Sequence, residues 1–206
     1  MRKKIPSLPL LIGLSLTYML VTGGFYIARG NHEFIAYLGV CLGVGAIILW
    51  TLPRSGLDGL ALWGLSGWGL LHMLGGLVPV GDTVLYGWRI IELVDGKGDF
   101  FILKMDQVVH FYGFAVAAVL VHQLLDRRMT AQVSGGMRIF LAWIGSMGLG
   151  ALNEVVEFLA LVSLENTGVG DIYNTGLDLC FNLVGALAGA WFSEQRSKPK
   201  QPAQLS

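Results

Sequence analysis

The chain has 206 residues, 54% of them hydrophobic and only 14% charged, with a mean hydropathy of +0.63. Soluble domains average about 25% charged residues, so this is the composition of a membrane protein. Fourteen Lys and Arg balance fourteen Asp and Glu, which excludes the basic excess of a nucleic-acid-binding chain and leaves charge to act by position.

A basic start, Arg2, Lys3 and Lys4, precedes an apolar run over residues 8–28. The run is long for a signal peptide and no A-x-A site follows it, so an uncleaved first transmembrane helix is expected. The short connection RGNHE leads to a second span over 34–52, which Pro53 is expected to end because it cannot continue the helical hydrogen bonding. A third span covers 57–80 and closes at Pro79. Residues 81–105 mix charges with Tyr86, Trp88, Phe100 and Phe101, the pattern of a structured loop or a short helix lying in the headgroup zone.

A fourth span over 107–125 is followed by the basic loop DRRMTAQVSGGMR. The fifth span, 139–163, carries Glu154 and Glu157. A turn-rich loop, ENTGVGDIYNTG, precedes the sixth span at 177–192, and residues 194–206 form a polar tail. The expectation is therefore an all-α bundle of six spans in one membrane domain, residues 1–193, each span near the roughly 20 residues needed to cross hydrocarbon. With both termini cytoplasmic, ten of the fourteen Lys and Arg residues fall inside, and only Arg29, Arg89, Lys97 and Lys104 fall outside. That satisfies the positive-inside rule and gives a multi-pass membrane protein with both ends cytoplasmic.

The 29 glycines are scattered through the apolar runs. GVCLG at 39–43 and GALAG at 185–189 read as sites of close helix packing. Cys41 and Cys180 lack metal-ligand spacing and read as small buried side chains.

Glu154 and Glu157 interrupt an apolar run near mid-span, where an acid costs a few kcal/mol unless protonated, paired or hydrated. On the six-span topology, His72, Asp106, His110, Asn153, Asp178 and Asn182 fall at a similar depth toward the outer face. Asp106 with His110, and Asp178 with Asn182, are four apart; Glu154 and Glu157 are three apart, so each pair shares a helix face. Carboxylates and imidazole on facing helices can ligate a divalent metal, relay protons or act as acid and base. The candidate catalytic residues are Glu154, Glu157 and His110. The candidate metal ligands are Asp106, His110, Glu154, Glu157 and Asp178, with His72, Asn153 and Asn182 in support. The structural alternative is that Asp106 and Asp178 cap helix starts and the other groups bond across helices to hold packing. His122 reads as an interfacial residue outside this set, and His32 as a loop residue without a partner. No HExxH, P-loop or GxSxG motif is present.

The motifs LLHMLGG with VGDTVLYG, DQVVHFYGF, NEVVEF and DIYNTGLDLCFNLVGALAGA resemble those of the YjdF-like bacterial integral membrane proteins and, more distantly, VanZ-like proteins. The resemblance covers about residues 72–191 and implies that Asp106, His110, Glu154, Glu157 and Asp178 stand at recurrent polar positions. The chain departs from the family pattern at Met73, where a glutamate often follows the histidine, and at Phe158, where tryptophan is frequent. The resemblance implies no reaction. Three functions fit the sequence: a metal-dependent envelope enzyme acting on a lipid-linked or headgroup substrate, a proton- or ion-coupled carrier, and a structural or assembly protein. No inverted repeat favours the carrier.

Overall fold

A computed structural model describes residues 5, 7–129, 133–165 and 167–197. Arg2, Lys3, Lys4, Lys198, Lys200 and the tail beyond Ser197 lie outside the described residues. In hydrocarbon, backbone N–H and C=O groups can be satisfied within a single segment only by a helix, and the apolar runs fold as six: α1 (Leu8–Arg29), α2 (His32–Ser55), α3 (Gly59–Gly75), α4 (Met105–Arg128), α5 (Gly135–Ser163) and α6 (Ile172–Ser197). Among the described residues, five of these, all but α3, are long and apolar enough to cross a membrane. Their outward side chains, such as Leu20, Trp50 and Ile172, are strongly exposed and apolar, as lipid contact requires.

The third helix is 17 residues long, shorter than the expected 57–80. Its end is set by Gly75 and Gly76, where an added Cβ would collide with the rings of Tyr86 and Phe34. The chain then turns, with the N–H groups of Leu77 and Val78 returning to Leu74 O. Helix α2 runs through Pro53 to Ser55, because a proline in the last turn forfeits little. Its actual stop is Gly56, at φ +74°, a left-handed conformation that favours glycine.

Residues 79–104 form hairpins in place of a loop or short helix. Strand β1 (Pro79–Val80) pairs antiparallel with β2 (Thr83–Val84). A single 3₁₀ turn, Leu85–Gly87, then leads to β3 (Arg89–Asp95), which pairs antiparallel with β4 (Phe101–Lys104) through an irregular register. The Arg89 guanidinium lies over the Phe101 ring at 4.4 Å from its centroid. Charge and aromatics in this stretch thus mark a cross-strand pairing.

Helices α4, α5 and α6 pack around small residues: Ala118, Ala142, Ala186 and Ala190 are fully buried. Helix α6 lies closest on α4, since a Cβ at Gly185 or Gly189 would meet the α4 backbone at Phe111 and Ala115. Ser146 Oγ on α5 donates to Phe114 O on α4 at 2.7 Å. The expectation for GALAG thus matches the packing, while that for GVCLG does not: Gly39 and Gly43 face open space. Cys41 is buried, but Cys180 is exposed on the outer surface of α6, contrary to expectation.

At the end of the bundle opposite the hairpins, α6 runs to Ser197, and Glu194 is only 2% exposed. Its carboxylate accepts from Arg138 Nε at 2.9 Å, Arg138 Nη2 at 2.7 Å and His122 Nε2 at 2.9 Å. His122, at 1% exposure, belongs to an ion-paired clamp tying α4, α5 and α6.

Gly185→Ala and Gly189→Ala are each expected to cost about 1–3 kcal/mol by forcing α6 off α4, read as a lower thermal midpoint in detergent. Gly43→Ala is expected to be neutral or up to about 1 kcal/mol stabilising. Arg138→Ala, which leaves the buried Glu194 with His122 alone, is expected to cost about 3 kcal/mol, the lower end for a broken buried pair because Arg138 is part-exposed; a titration with denaturing detergent checks it.

Candidate functional site

The hairpin end of the bundle gathers polar side chains from three helices. Strand β4 feeds directly into α4, and the buried Gln107 fixes that junction: its Oε1 accepts from Lys104 N at 3.1 Å and its Nε2 donates to Phe101 O at 2.6 Å. Asp106 and His110 follow on one face of α4. Helix α6 starts at Ile172, five residues before the expected start, so Asn174, Asp178 and Asn182 form a three-turn polar stripe facing α4. Helix α5 supplies Asn153, Glu154 and Glu157 from its last three turns.

His110 is the centre of this cluster. Its Nδ1 is 3.0 Å from Asn182 Oδ1 and 3.7 Å from Glu154 Oε1. Its Nε2 is 3.7 Å from Asp106 Oδ1 and 3.9 Å from Glu157 Oε1. With Asn182 Oδ1 accepting from Nδ1–H, the lone pair sits on Nε2 and faces the two carboxylates. Glu157 Oε1 also accepts from Asn153 Nδ2 at 2.7 Å. Asn174 links the α4 and α6 acids: its Nδ2 lies 2.6 Å from Asp178 Oδ2 and 3.2 Å from Asp106 Oδ2, and its Oδ1 accepts from Lys104 Nζ.

Four carboxylates thus surround one imidazole, with Lys104 the cation bonded to their network. Among the described residues, five buried side-chain polar atoms have no hydrogen-bond partner, and four belong here: both oxygens of Glu154, Asp178 Oδ1 and Asn182 Nδ2. Glu154 is 9% exposed, and Asp178 and Asn182 are 0% exposed. Buried polar atoms are almost always satisfied, so this concentration calls for a ligand or shared protons. Two overlapping donor sets, Asp106–His110–Asp178 and His110–Glu154–Glu157, each place their ligand atoms within 4.8 Å of one another. Donors around one ion at about 2.0–2.2 Å lie at most ~4.4 Å apart, so small side-chain adjustments suffice to close either set.

His72 stands apart from these carboxylates. Its Nδ1 is 2.5 Å from Tyr86 Oη, and its ring stacks on Trp68 at 5.4 Å and approaches Tyr37 at 5.3 Å. Burial, then the charges of Asp106 and Glu157, push the Tyr86 phenol well above its ordinary pKa, so the phenol keeps its proton and donates it to His72. Among the described residues, no hydrogen bond or ion pair joins His72 to the four acids.

Sequence reasoning missed Asn174, Lys104 and Tyr37. Asn174 continues the Asp178–Asn182 spacing by one turn, a signal hidden by assigning residues 165–176 to a loop. Lys104 reads in sequence as an outer-loop charge, yet it is buried. Nothing in the sequence marks the unpartnered Tyr37 hydroxyl.

A helical bundle with several apolar crossings and a buried His/Asp/Glu cluster defines a multi-pass integral membrane protein embedded in the bilayer. The chain belongs to the family described as "Predicted membrane protein (DUF2238)", which matches residues 9–198. No curated protein and no solved structure matches it.

A double-mutant cycle of Asn174→Ala with Asp178→Ala is expected to return a coupling of about 0.5–3 kcal/mol, the range that spans hydrogen bonds to neutral and to charged groups. Thermal midpoints in detergent measure it, and a coupling near zero would remove Asn174 from the network.

Proposed function

We propose that the chain is a membrane-embedded enzyme that uses a divalent cation held by His110, Asp106 and Asp178 to act on the polar end of a membrane lipid. The observation that carries this reading is Glu154: both of its carboxylate oxygens are buried with no hydrogen-bond partner, and Oε1 lies 3.7 Å from His110 Nδ1. An acid so placed is positioned to take a proton from a bound water or substrate hydroxyl. Asn182 supports the assignment of His110 as a ligand, since a ligating histidine usually donates its second ring N–H to such an acceptor. Asp178, held by Asn174, supplies the second carboxylate of that set, and Glu157, 3.9 Å from His110 Nε2, stands ready as a further ligand. Mixed oxygen and nitrogen donors of this kind suit several divalent metals.

The topology in this proposal is six crossings of a bacterial inner membrane with both termini cytoplasmic and the cluster toward the outer face. At 17 residues α3 stands at the lower limit of about 17 for a crossing helix, and the distribution of Lys and Arg favours this orientation. The motif likeness to YjdF-like and, remotely, VanZ-like proteins belongs to the same reading and is compatible with a role in the cell envelope.

Metal analysis of protein purified in detergent without chelator tests the proposal. About one divalent ion per chain is expected in the wild type, lost in His110→Ala, strongly weakened in Asp106→Asn and retained in Glu154→Gln. Wild-type protein that takes up no zinc, manganese or magnesium ion on dialysis would overturn it and leave the four acids as proton-sharing groups, the arrangement a proton-coupled carrier needs.

A further inference from the structure

Helices α1, α2 and α3 enclose a groove of about 310 Å³ that opens sideways from the bundle. Its walls are almost entirely apolar, and its few polar groups satisfy one another: Ser15 Oγ and Ser66 Oγ bond at 2.6 Å, and Tyr18 Oη donates to Ser66 O at 3.0 Å. The groove therefore makes no hydrogen-bonding demand on what fills it, which selects hydrocarbon over water. Two of its three walls, α1 and α2, are long and apolar enough to cross a membrane, so lipid chains adjoin it.

The groove reaches Trp68, whose ring stacks on His72. It follows the faces of α2 and α3 that carry Tyr37 and His72, since Cys41 and Trp68, both on its wall, lie one turn away from them. Trp68 ends it: one side of the indole lines the groove, the ring stacks on His72, and its Nε1 lies where a Cβ on Gly113 would stand, three residues from His110. At the far end the wall is made by Leu8, Ile48 and Leu62. A molecule seated along this line has its apolar length in the groove and its polar end against the Trp68–His72 layer beside the cluster.

We propose that the groove takes one hydrocarbon chain of the lipid substrate, running from Leu8 and Ile48 to Trp68, with the headgroup directed toward His110. This names the substrate as a lipid bound by its chain, and it rests on the enzyme reading only for what the headgroup meets. Gly45 lines the groove with open space where its Cβ would be, so a large side chain there fills the groove without striking the bundle.

The test is photolabelling in vesicles with phosphatidylglycerol carrying a diazirine either near the carboxyl end or at the methyl end of one chain. The first probe is expected to label the Tyr18, Cys41 and Gly69 region, and the second the Leu8, Ile48 and Leu62 region. Gly45→Trp is expected to reduce both about tenfold, the scale of overfilling a packed site. Gly45→Leu should reduce them less, and Gly43→Trp, which faces open space, should leave them unchanged. Labelling spread evenly over exposed lipid-facing residues, or unaffected by Gly45→Trp or Gly45→Leu, would overturn the proposal. So would a disulfide between two copies through Gly45→Cys in a Cys180→Ser background, because a second copy would then fill the groove. Metal content is read on the same samples. Metal retained with ordered labelling absent removes the groove alone; ordered labelling with metal absent removes the metal reading alone.

Discussion

The contact on which the site depends is the approach of α6 to the α4 backbone at Gly185 and Gly189. In a membrane, helices gain little from hydrophobic burial against one another, so close packing at small residues sets which faces meet. Gly185 lies against Phe111, the residue after His110, and Asn182 is one turn before Gly185 on the same helix. That single register places Asn182 Oδ1 at 3.0 Å from the His110 ring and brings Asp178 and Asn174 opposite Asp106. Gly150 on α5 then admits Asn182 against its backbone, which brings Glu154 and Glu157 into the same space. The cluster is thus a consequence of backbone approach, and its donors are held by helices instead of by mobile loops.

The same three helices contain an internal control for what a merely structural acid looks like. Glu194, at the other end of the bundle, is as buried as Glu154 and is fully compensated, by two bonds from Arg138 and one from His122. Glu154 has none. A buried carboxylate costs several kcal/mol unless paired and hydrogen-bonded, and the fold meets that requirement at one end while leaving it unmet at the other. Packing explains Glu194. It does not explain Glu154, and this difference between two acids in one bundle weighs more than the polarity of either alone.

Much of this was legible in the sequence because membrane helices are written in long apolar runs and intramembrane acids stand out against them. The spacing of Asp106 with His110, and of Asp178 with Asn182, gave the correct shared faces. What escaped had physical reasons. Asn174 sits in the first turn of α6 among turn-forming residues, where helix boundaries are set by capping and not by hydropathy. The pairing of β3 with β4 is a long-range register that mixed charge and aromatics do not announce. Glu194 read as part of a polar tail because its partner Arg138 is 56 residues distant. Gly39 and Gly43 carry the same small-residue pattern as Gly185 and Gly189 yet pack on nothing, since the pattern permits a close contact without supplying the opposing helix.

The short α3 ties these parts together. Had the helix continued to Pro79, its last turn would occupy the space that the Tyr86 ring takes beside Gly75. Ending it there lets the hairpin segment fold back over the bundle, so that Tyr86 reaches His72 and β4 delivers Lys104 to Asn174. The same truncation leaves Trp68 and His72 in the last two turns of α3, between an apolar groove on one side and the His110 helix on the other. A full-length span would have met the demand for crossing hydrocarbon more comfortably. The sequence instead places two glycines where the helix must stop, and that choice has a consequence at the site: it is what lets groups from outside the membrane core complete a cluster built within it.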